Sequence, residues 1–378
     1  MTADASIRRF LRVERPRAKF VAVGDVVETG DPVMGGFRYV SLYDERIDAN
    51  VVEARDGILL IQNTYLPSFA YNLLLCWIYC DRASASDAER RRLIAHNFKK
   101  FYAEQLLHAY DGIFARAVFL ETLLYEQVCM VPVFAERERD PELHQLARFA
   151  SELMASAVSR HELGHFILKR GPGAWDEALQ WRGGAVRSLY EEVRERWPPA
   201  LVVEFQCDVL SVIASLTTDG EQEEEGRRTM VLRGLVFAYA AFAVLFSLEK
   251  SARATAAEHR GAHEEVDFRS IRKLHRTFDF AVGIDEEMAE RARYVERLCR
   301  AVCEQAGGDL YASTGPLRLS PDLLNHLLGY VDSMMDSADR NAREMSLLVA
   351  EALHGHPRGT EYLYLRSKTF DVPEGISL

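Results

Sequence analysis

The sequence has no uninterrupted apolar run as long as a typical membrane span. Crossing a bilayer takes about 20 apolar residues, whereas the longest run, residues 234–248, has 15. Charged residues bound this run on both sides, Arg233 before it and Glu249 after it. A shorter run occupies residues 73–80. We therefore expect both segments to be buried helices of a soluble protein, with no stable membrane span. A short or tilted span at residues 234–248 is the alternative.

Cysteine is also scarce, with six residues in 378. So few in so long a chain do not suggest a disulfide framework. The pairs Cys76/Cys80 and Cys299/Cys303 have the i, i+4 spacing of a helix face, which favours small buried side chains over a metal pair. The first residues contain arginines and no apolar core of a secretory signal. Together these features predict a reducing, cytoplasmic location.

An excess of positive charge is absent as well. The formal net charge is −11, and binding to a phosphate backbone requires clustered lysine and arginine. Nucleic acid is therefore not expected as a partner. Hydrophobic residues make up 48% of the chain and charged residues 27%, as in ordinary globular proteins with a sizeable core.

The hydrophobic pattern predicts an α+β fold that is predominantly α-helical. Residues 18–65 are rich in β-branched and aromatic types, and Asp56-Gly57 between two such segments indicates a hairpin. From Pro67 onward, apolar residues recur at helical spacing, first at about 68–82, 87–110 and 112–130. Asp140 and Pro141 then begin a helix that is expected to end at Gly171-Pro172-Gly173.

Four segments follow from this pattern. Residues 1–66 are expected to be the β-rich part of a catalytic domain, and residues 67–139 a helical insertion. Residues 140–280 carry the candidate metal-binding helices, and residues 281–378 form a C-terminal helical region. No linker separates them, so we expect one integrated domain.

The chemistry is concentrated in His161-Glu162-Leu163-Gly164-His165. On a helix, residues i and i+4 lie on one face, so His161 and His165 can bind one metal ion. Glu162 then lies beside the ion, where it can accept a proton from a metal-bound water. Zinc suits imidazole and carboxylate ligands and needs no redox partner. Two core histidines that only make hydrogen bonds are the alternative.

A third ligand is expected on a later helix that begins at Pro198-Pro199. Glu204 and Asp208 are again four residues apart, in an otherwise apolar segment where carboxylates need partners. We predict Glu204 as the third zinc ligand. Asp208 would accept a hydrogen bond from the far ring nitrogen of a ligand histidine. Salt bridges to surface arginines are the alternative for this pair.

These motifs resemble those of the gluzincin metallopeptidases, in which H-E-x-x-H on one helix is followed by E-x-x-x-D on another. The chain is most similar to the group that includes the CAAX prenyl endopeptidases, the heat-shock membrane protease HtpX and the phage-exclusion peptidase Lit. Its second motif often reads E-x-x-A-D, and Cys207 stands at the alanine position. The resemblance implies a zincin-like core with helical additions, of the soluble variety. It also implies that residues 47–66 form an edge hairpin beside the substrate.

Members of that group often carry a later H-P-x-x-x-x-R element. His263 and Arg269 keep this spacing, with Glu264 at the proline position. The resemblance implies that His263 stabilises the tetrahedral oxyanion and that Arg269 braces the site. His259 and His275 are rival candidates for the first role.

The predicted activity is zinc-dependent hydrolysis of peptide bonds in an intracellular protein or peptide. Zinc-bound water would attack the scissile carbonyl, with Glu162 as general base. The resemblance to Lit suggests a defence or toxin-type protease. Two alternatives remain: a metal-binding regulator or sensor with little turnover, and a helical interaction protein in which the motif arose by chance.

Overall fold

The computed structural model describes residues 19–28, 36–43, 49–54, 57–63, 65–171, 173–219, 225–261, 268–277, 282–315, 317–334 and 340–353. Within these residues the protein is predominantly helical, with one small sheet at its N-terminal end. The expectation of a mainly helical chain with an N-terminal sheet is confirmed.

The sheet has four strands in the order β1-β2-β4-β3. The strands are β1 Lys19–Glu28, β2 Gly36–Tyr43, β3 Ala49–Ala54 and β4 Gly57–Asn63. Strands β3 and β4 form the predicted antiparallel hairpin. Strand β2 pairs with β4 in parallel, a pairing that the sequence pattern did not indicate. Strand β3 therefore lies at an edge of the sheet.

Thirteen α-helices follow in the described residues. They are α1 Tyr65–Arg82, α2 Asp87–Ala109, α3 Ile113–Cys129, α4 Val131–Arg139, α5 Pro141–Arg170, α6 Gly173–Gln180, α7 Ala185–Arg196, α8 Pro199–Asp219, α9 Glu225–Gly261, α10 Phe268–Thr277, α11 Glu286–Gln305, α12 Leu323–Val331 and α13 Arg340–Leu353. One hydrophobic cluster contains buried residues from every one of them. The segments 67–139, 140–280 and 281–378 therefore share a core.

Helix α5 has the boundaries that its sequence predicted. The Asp140 carboxylate accepts hydrogen bonds from the backbone N–H groups of Glu142 and Leu143, and Pro141 occupies the first turn. The helix ends at Arg170, before Gly171. Its 30 residues span about 45 Å at 1.5 Å per residue. Helix α5 packs against α1, α8 and α9 and also contacts strands β3 and β4.

The sheet lies on the part of α5 that carries the histidine motif. Ile58 and Leu60 of β4 form a small buried cluster with Phe166 of α5, and Val51 of β3 and Leu163 of α5 pack against it. An ion pair 3.0 Å long between Arg170 and Glu53 adds a contact at the end of the helix. These contacts place the edge strand β3 alongside the candidate site.

Two described helices are long and apolar enough to cross a membrane, judged by length and composition. They are α8, over Pro199–Thr217, and α9, over Gly226–His259; the bent pair α3 and α4 would be a third if it counted as one span. The expectation of no stable membrane span therefore stays a prediction. In α9, 94% of the apolar window is buried inside the protein, against 44% in α8. Helices α2, α5, α8, α11 and α12 all pack against α9.

Candidate metal centre

The two helices that carry the predicted metal ligands approach each other closely at Gly164. A Cβ atom built on Gly164 would lie 3.0 Å from Cα and 3.1 Å from Cβ of Cys207 in α8. Any larger residue would have to push the backbones apart. Glycine therefore allows α5 and α8 to meet along the face that bears His161 and His165.

Three side chains predicted to bind a metal ion converge between α5 and α8. Oε2 of Glu204 lies 3.1 Å from Nε2 of His161, and Oε1 of Glu204 lies 3.5 Å from Nε2 of His165. Donor atoms on a tetrahedral zinc ion, with bonds of about 2.0–2.2 Å, are about 3.4 Å apart. Imidazole nitrogen and carboxylate oxygen are donor types that zinc accepts. Glu204 therefore directs one carboxylate oxygen at each of the two imidazole nitrogens, at separations close to those of ligands that share one ion.

Asp208 fixes the orientation of the His161 imidazole. Nδ1 of His161 donates to Oδ1 of Asp208 over 2.7 Å, which leaves Nε2 facing Glu204. Burial would raise the pKa of Asp208, but the Arg291 guanidinium and His161 outweigh it and hold this pKa far below its usual range. An ionised carboxylate only accepts hydrogen bonds. Asp208 therefore keeps the proton on Nδ1 and directs Nε2 at the place where a metal ion would bind.

The two imidazoles differ in their tendency to hold a proton. Burial acts to lower the pKa of His161, yet Asp208 and Glu204 raise it to about 9. Burial and the neighbouring His161 lower the pKa of His165. The hydrogen bond from His161 lowers the pKa of Glu204. A metal ion would replace the proton on Nε2 of His161, as metal binding to histidine requires.

Arg291 of α11 is a fourth member of the site that the sequence analysis did not find. Its Nε donates to Oδ2 and its Nη2 to Oδ1 of Asp208, each over 2.8 Å. Its Nη1 lies 3.1 Å from Oε2 of Glu204. Arg291 is buried. One guanidinium thus neutralises and orients both carboxylates of α8 from a third helix.

The pattern of α11 did contain a signal for this arginine. The buried face of α11 follows helical spacing through Met288, Ala292, Val295 and Cys299, and Arg291 falls on the same stripe. A charged residue on an apolar stripe must have a buried partner of opposite charge. Glu204 and Asp208 also need partners of opposite charge, because they are carboxylates in an apolar segment.

Cys207 is the other nearby group with metal-binding chemistry. Its sulfur and one ring nitrogen from each of His161 and His165 lie within 4.8 Å of one another. Cys207 is fully buried. Burial, followed by the charges of Asp208 and Glu204, raises the pKa of its thiol well above the usual value. The sequence analysis treated Cys207 only as a small residue at a position that is often alanine.

Glu162, the predicted general base, directly follows His161 on α5. It lies about 100° further round the helix than His161, and its side chain is partly exposed. Water can therefore approach Glu162, and a general base needs this access.

The structure places His259, His275 and Arg269 away from this site. His263 lies outside the described residues. His259 and His275 both contact the ring of Phe114 in α3, and α3 packs against α2, α4, α10 and α13. Arg269 is exposed on α10, which packs against α3 and α13. The expectation that Arg269 braces the site is therefore corrected, since Arg291 holds that place.

Comparison of the sequence with protein-family models finds no match, and comparison with curated proteins and with solved structures finds none either. The resemblance to gluzincins therefore stays a prediction from the sequence.

Proposed function

We propose that this protein is a zinc-dependent metallopeptidase that hydrolyses peptide bonds of an intracellular protein or peptide. The observation that carries the proposal is the convergence of His161, His165 and Glu204, with oxygen–nitrogen separations of 3.1 and 3.5 Å. Each separation, one to each oxygen of Glu204, is close to the spacing of about 3.4 Å between neighbouring ligand atoms on a tetrahedral zinc ion. Zinc is the proposed cofactor because two imidazoles and one carboxylate are a common catalytic zinc set.

The bound ion would polarise the scissile carbonyl and make water a stronger acid. Glu162 takes a proton from the attacking water and returns it to the leaving amine. Asp208 holds the His161 ring in one tautomer, and Arg291 holds Asp208 and Glu204 in place. His263 is the candidate for stabilising the oxyanion by resemblance to the family.

The edge strand β3 supports an extended peptide as the substrate. Among the described strands, β3 has a neighbour on one side only. Its Val51 packs against the same small cluster as Leu163 of α5, which directly follows Glu162 in the chain. A peptide that paired with the free edge of β3 through main-chain hydrogen bonds would run beside the metal ligands.

We place this activity in the cytoplasm. The six free cysteines are all buried, in keeping with a reducing compartment. The most apolar helix, α9, has nearly all of its apolar window covered by protein. The net charge of −11 favours a protein or peptide partner over a nucleic acid. A defence or toxin-type role within the cell follows from the family resemblance alone.

A metal-binding regulator with little turnover is the second candidate. The observation that favours it is the thiol of Cys207 close to both histidines. Four protein ligands would close the site, as in structural zinc centres.

The test combines metal analysis with a peptidase assay. The wild type should contain about one zinc ion per chain and cleave unfolded casein. Glu162→Gln should keep the metal and lose cleavage, whereas His161→Ala should lose both. If the purified wild type holds no stoichiometric metal after zinc reconstitution, the proposal fails. Zinc binding without cleavage that depends on Glu162 would favour the regulator.

A further inference from the structure

Cys207 has a sulfur close to both candidate ligand histidines. It follows Glu204 by three residues, so both side chains lie on the same side of α8. Its sulfur and one ring nitrogen from each of His161 and His165 lie within 4.8 Å of one another.

The contact between α5 and α8 holds the cysteine against the histidine turn. Gly164 lies between His161 and His165 in the chain, and a Cβ atom there would meet Cβ of Cys207 at 3.1 Å. The side chain of Cys207 therefore begins next to the turn that separates the two ligands. An alanine would keep this Cβ contact, whereas sulfur adds a donor for which zinc has high affinity.

We infer that Cys207 is the fourth protein ligand of the metal ion, and that its thiolate closes the resting site. The inference rests on the proposed metal centre of His161, His165 and Glu204. It deepens the proposed function by limiting, without abolishing, cleavage by the wild type, because a hydrolytic site needs one open position.

The distances allow this role with a small movement. Zinc–sulfur bonds are about 2.3 Å and zinc–nitrogen bonds about 2.0–2.1 Å, so sulfur and nitrogen on one tetrahedral ion are about 3.6 Å apart. The upper limit of 4.8 Å on the present separations exceeds this value by about 1 Å. Rotation about χ1 of Cys207 moves its sulfur by more than that difference. Opening the site would exchange the thiolate for water: the sulfur would leave the ion and take up a proton from solvent, and a water molecule would enter the position that it left.

Cobalt(II) is the probe for this inference, because a thiolate on cobalt gives a charge-transfer band in the near ultraviolet. The wild type loaded with Co²⁺ should show this band, and Cys207→Ala and Cys207→Ser should lack it. Cys299→Ala is the matched control, since Cys299 is also fully buried but lies on α11, two turns beyond Arg291; it should keep the band. Cys207→Ala should also bind the metal at least about tenfold more weakly and cleave peptide faster when saturated with zinc.

A second measurement needs no variant and therefore does not depend on how the variants fold. X-ray absorption by the zinc-loaded wild type should show one sulfur neighbour at about 2.3 Å. Zinc or cobalt bound with only nitrogen and oxygen neighbours would overturn the inference, as would a charge-transfer band that persists in Cys207→Ala. In that case, cleavage that depends on Glu162 would leave the proposed function standing. If no metal binds at all, the proposed function and this inference fail together.

Discussion

Arg291 and Asp208 form a two-point ion pair in the interior of the protein, with Nε and Nη2 of the guanidinium each 2.8 Å from a carboxylate oxygen. The pair joins α11 to α8, and the same aspartate holds Nδ1 of His161 in α5. Three helices that are distant in the sequence therefore meet through one carboxylate. The orientation of the candidate metal ligands depends on this connection.

Replacing Arg291 by methionine should strongly destabilise the protein. The change leaves Asp208 buried without its counter-ion, and removing one partner of a buried pair costs about 3–5 kcal/mol. Urea unfolding of the metal-free protein measures the difference. Arg297→Met is the control on the same helix, because its ion pair with Glu192 is partly exposed and should contribute at most about 1 kcal/mol. Equal losses in the two variants would contradict the role given to Arg291.

Replacing Gly164 by alanine should separate α5 from α8. The added methyl group would lie 3.0 Å from the Cα atom of Cys207, and such overpacking costs about 1–3 kcal/mol. Gly329→Ala in α12 is the control, since nothing lies within 4 Å of its Cβ position. That control should gain about 0.5–1 kcal/mol from helix propensity. A thermal melt that moves in the same direction for both variants would refute the close crossing.

Replacing Asp208 by asparagine should weaken zinc binding by about 10–100-fold, as is typical for partners of ligand histidines. The amide has no charge with which to hold the His161 proton on Nδ1. Competition with a coloured chelator at fixed pH measures the affinity. Asp81→Asn serves as the control, because Asp81 pairs with Arg90 away from the site. An unchanged zinc affinity in Asp208→Asn would show that Asp208 does not support the ligand.

The buried His96 should make the folded protein less stable in acid. It is buried in α2 with no hydrogen-bond partner on either ring nitrogen. Burial, together with the charges of Lys100 and Lys99, lowers its pKa to about 3. The unfolded chain protonates this histidine near pH 6.5. Stability from His96 is therefore complete above pH 6.5 and falls as the pH drops toward 3, by about 1.4 kcal/mol per pH unit.

The variant His96→Phe keeps a ring against Tyr125 and removes the titrating group. Free energies of unfolding at pH 7, 6 and 5 should therefore fall less steeply in the variant than in the wild type. Parallel pH profiles would mean that His96 does not stay neutral in the folded protein.

Local patterns were sufficient to predict the elements that carry the site. The cap at Asp140 and the i, i+4 spacing of His161 and His165 depend only on residues close in sequence. We predicted that Glu204 and Asp208 face the histidine helix because buried carboxylates need partners. These features could be predicted because each is settled within one or two helical turns.

Contacts between distant segments could not be predicted in the same way. Arg291 reaches Asp208 from 83 residues further along the chain, and only the packing of α11 decides which carboxylate it meets. The His275 ring is buried against Phe114 because α10 packs on α3. Spacing within one segment carries no information about either choice. The parallel pairing of β2 with β4 is a contact of the same kind.

The most direct test is anomalous X-ray diffraction from crystals of the zinc-loaded protein. The account predicts one strong zinc peak between α5 and α8, about 2.0–2.2 Å from Nε2 of His161, Nε2 of His165 and a carboxylate oxygen of Glu204. No peak at this place, or a zinc ion bound without these three side chains, would contradict it.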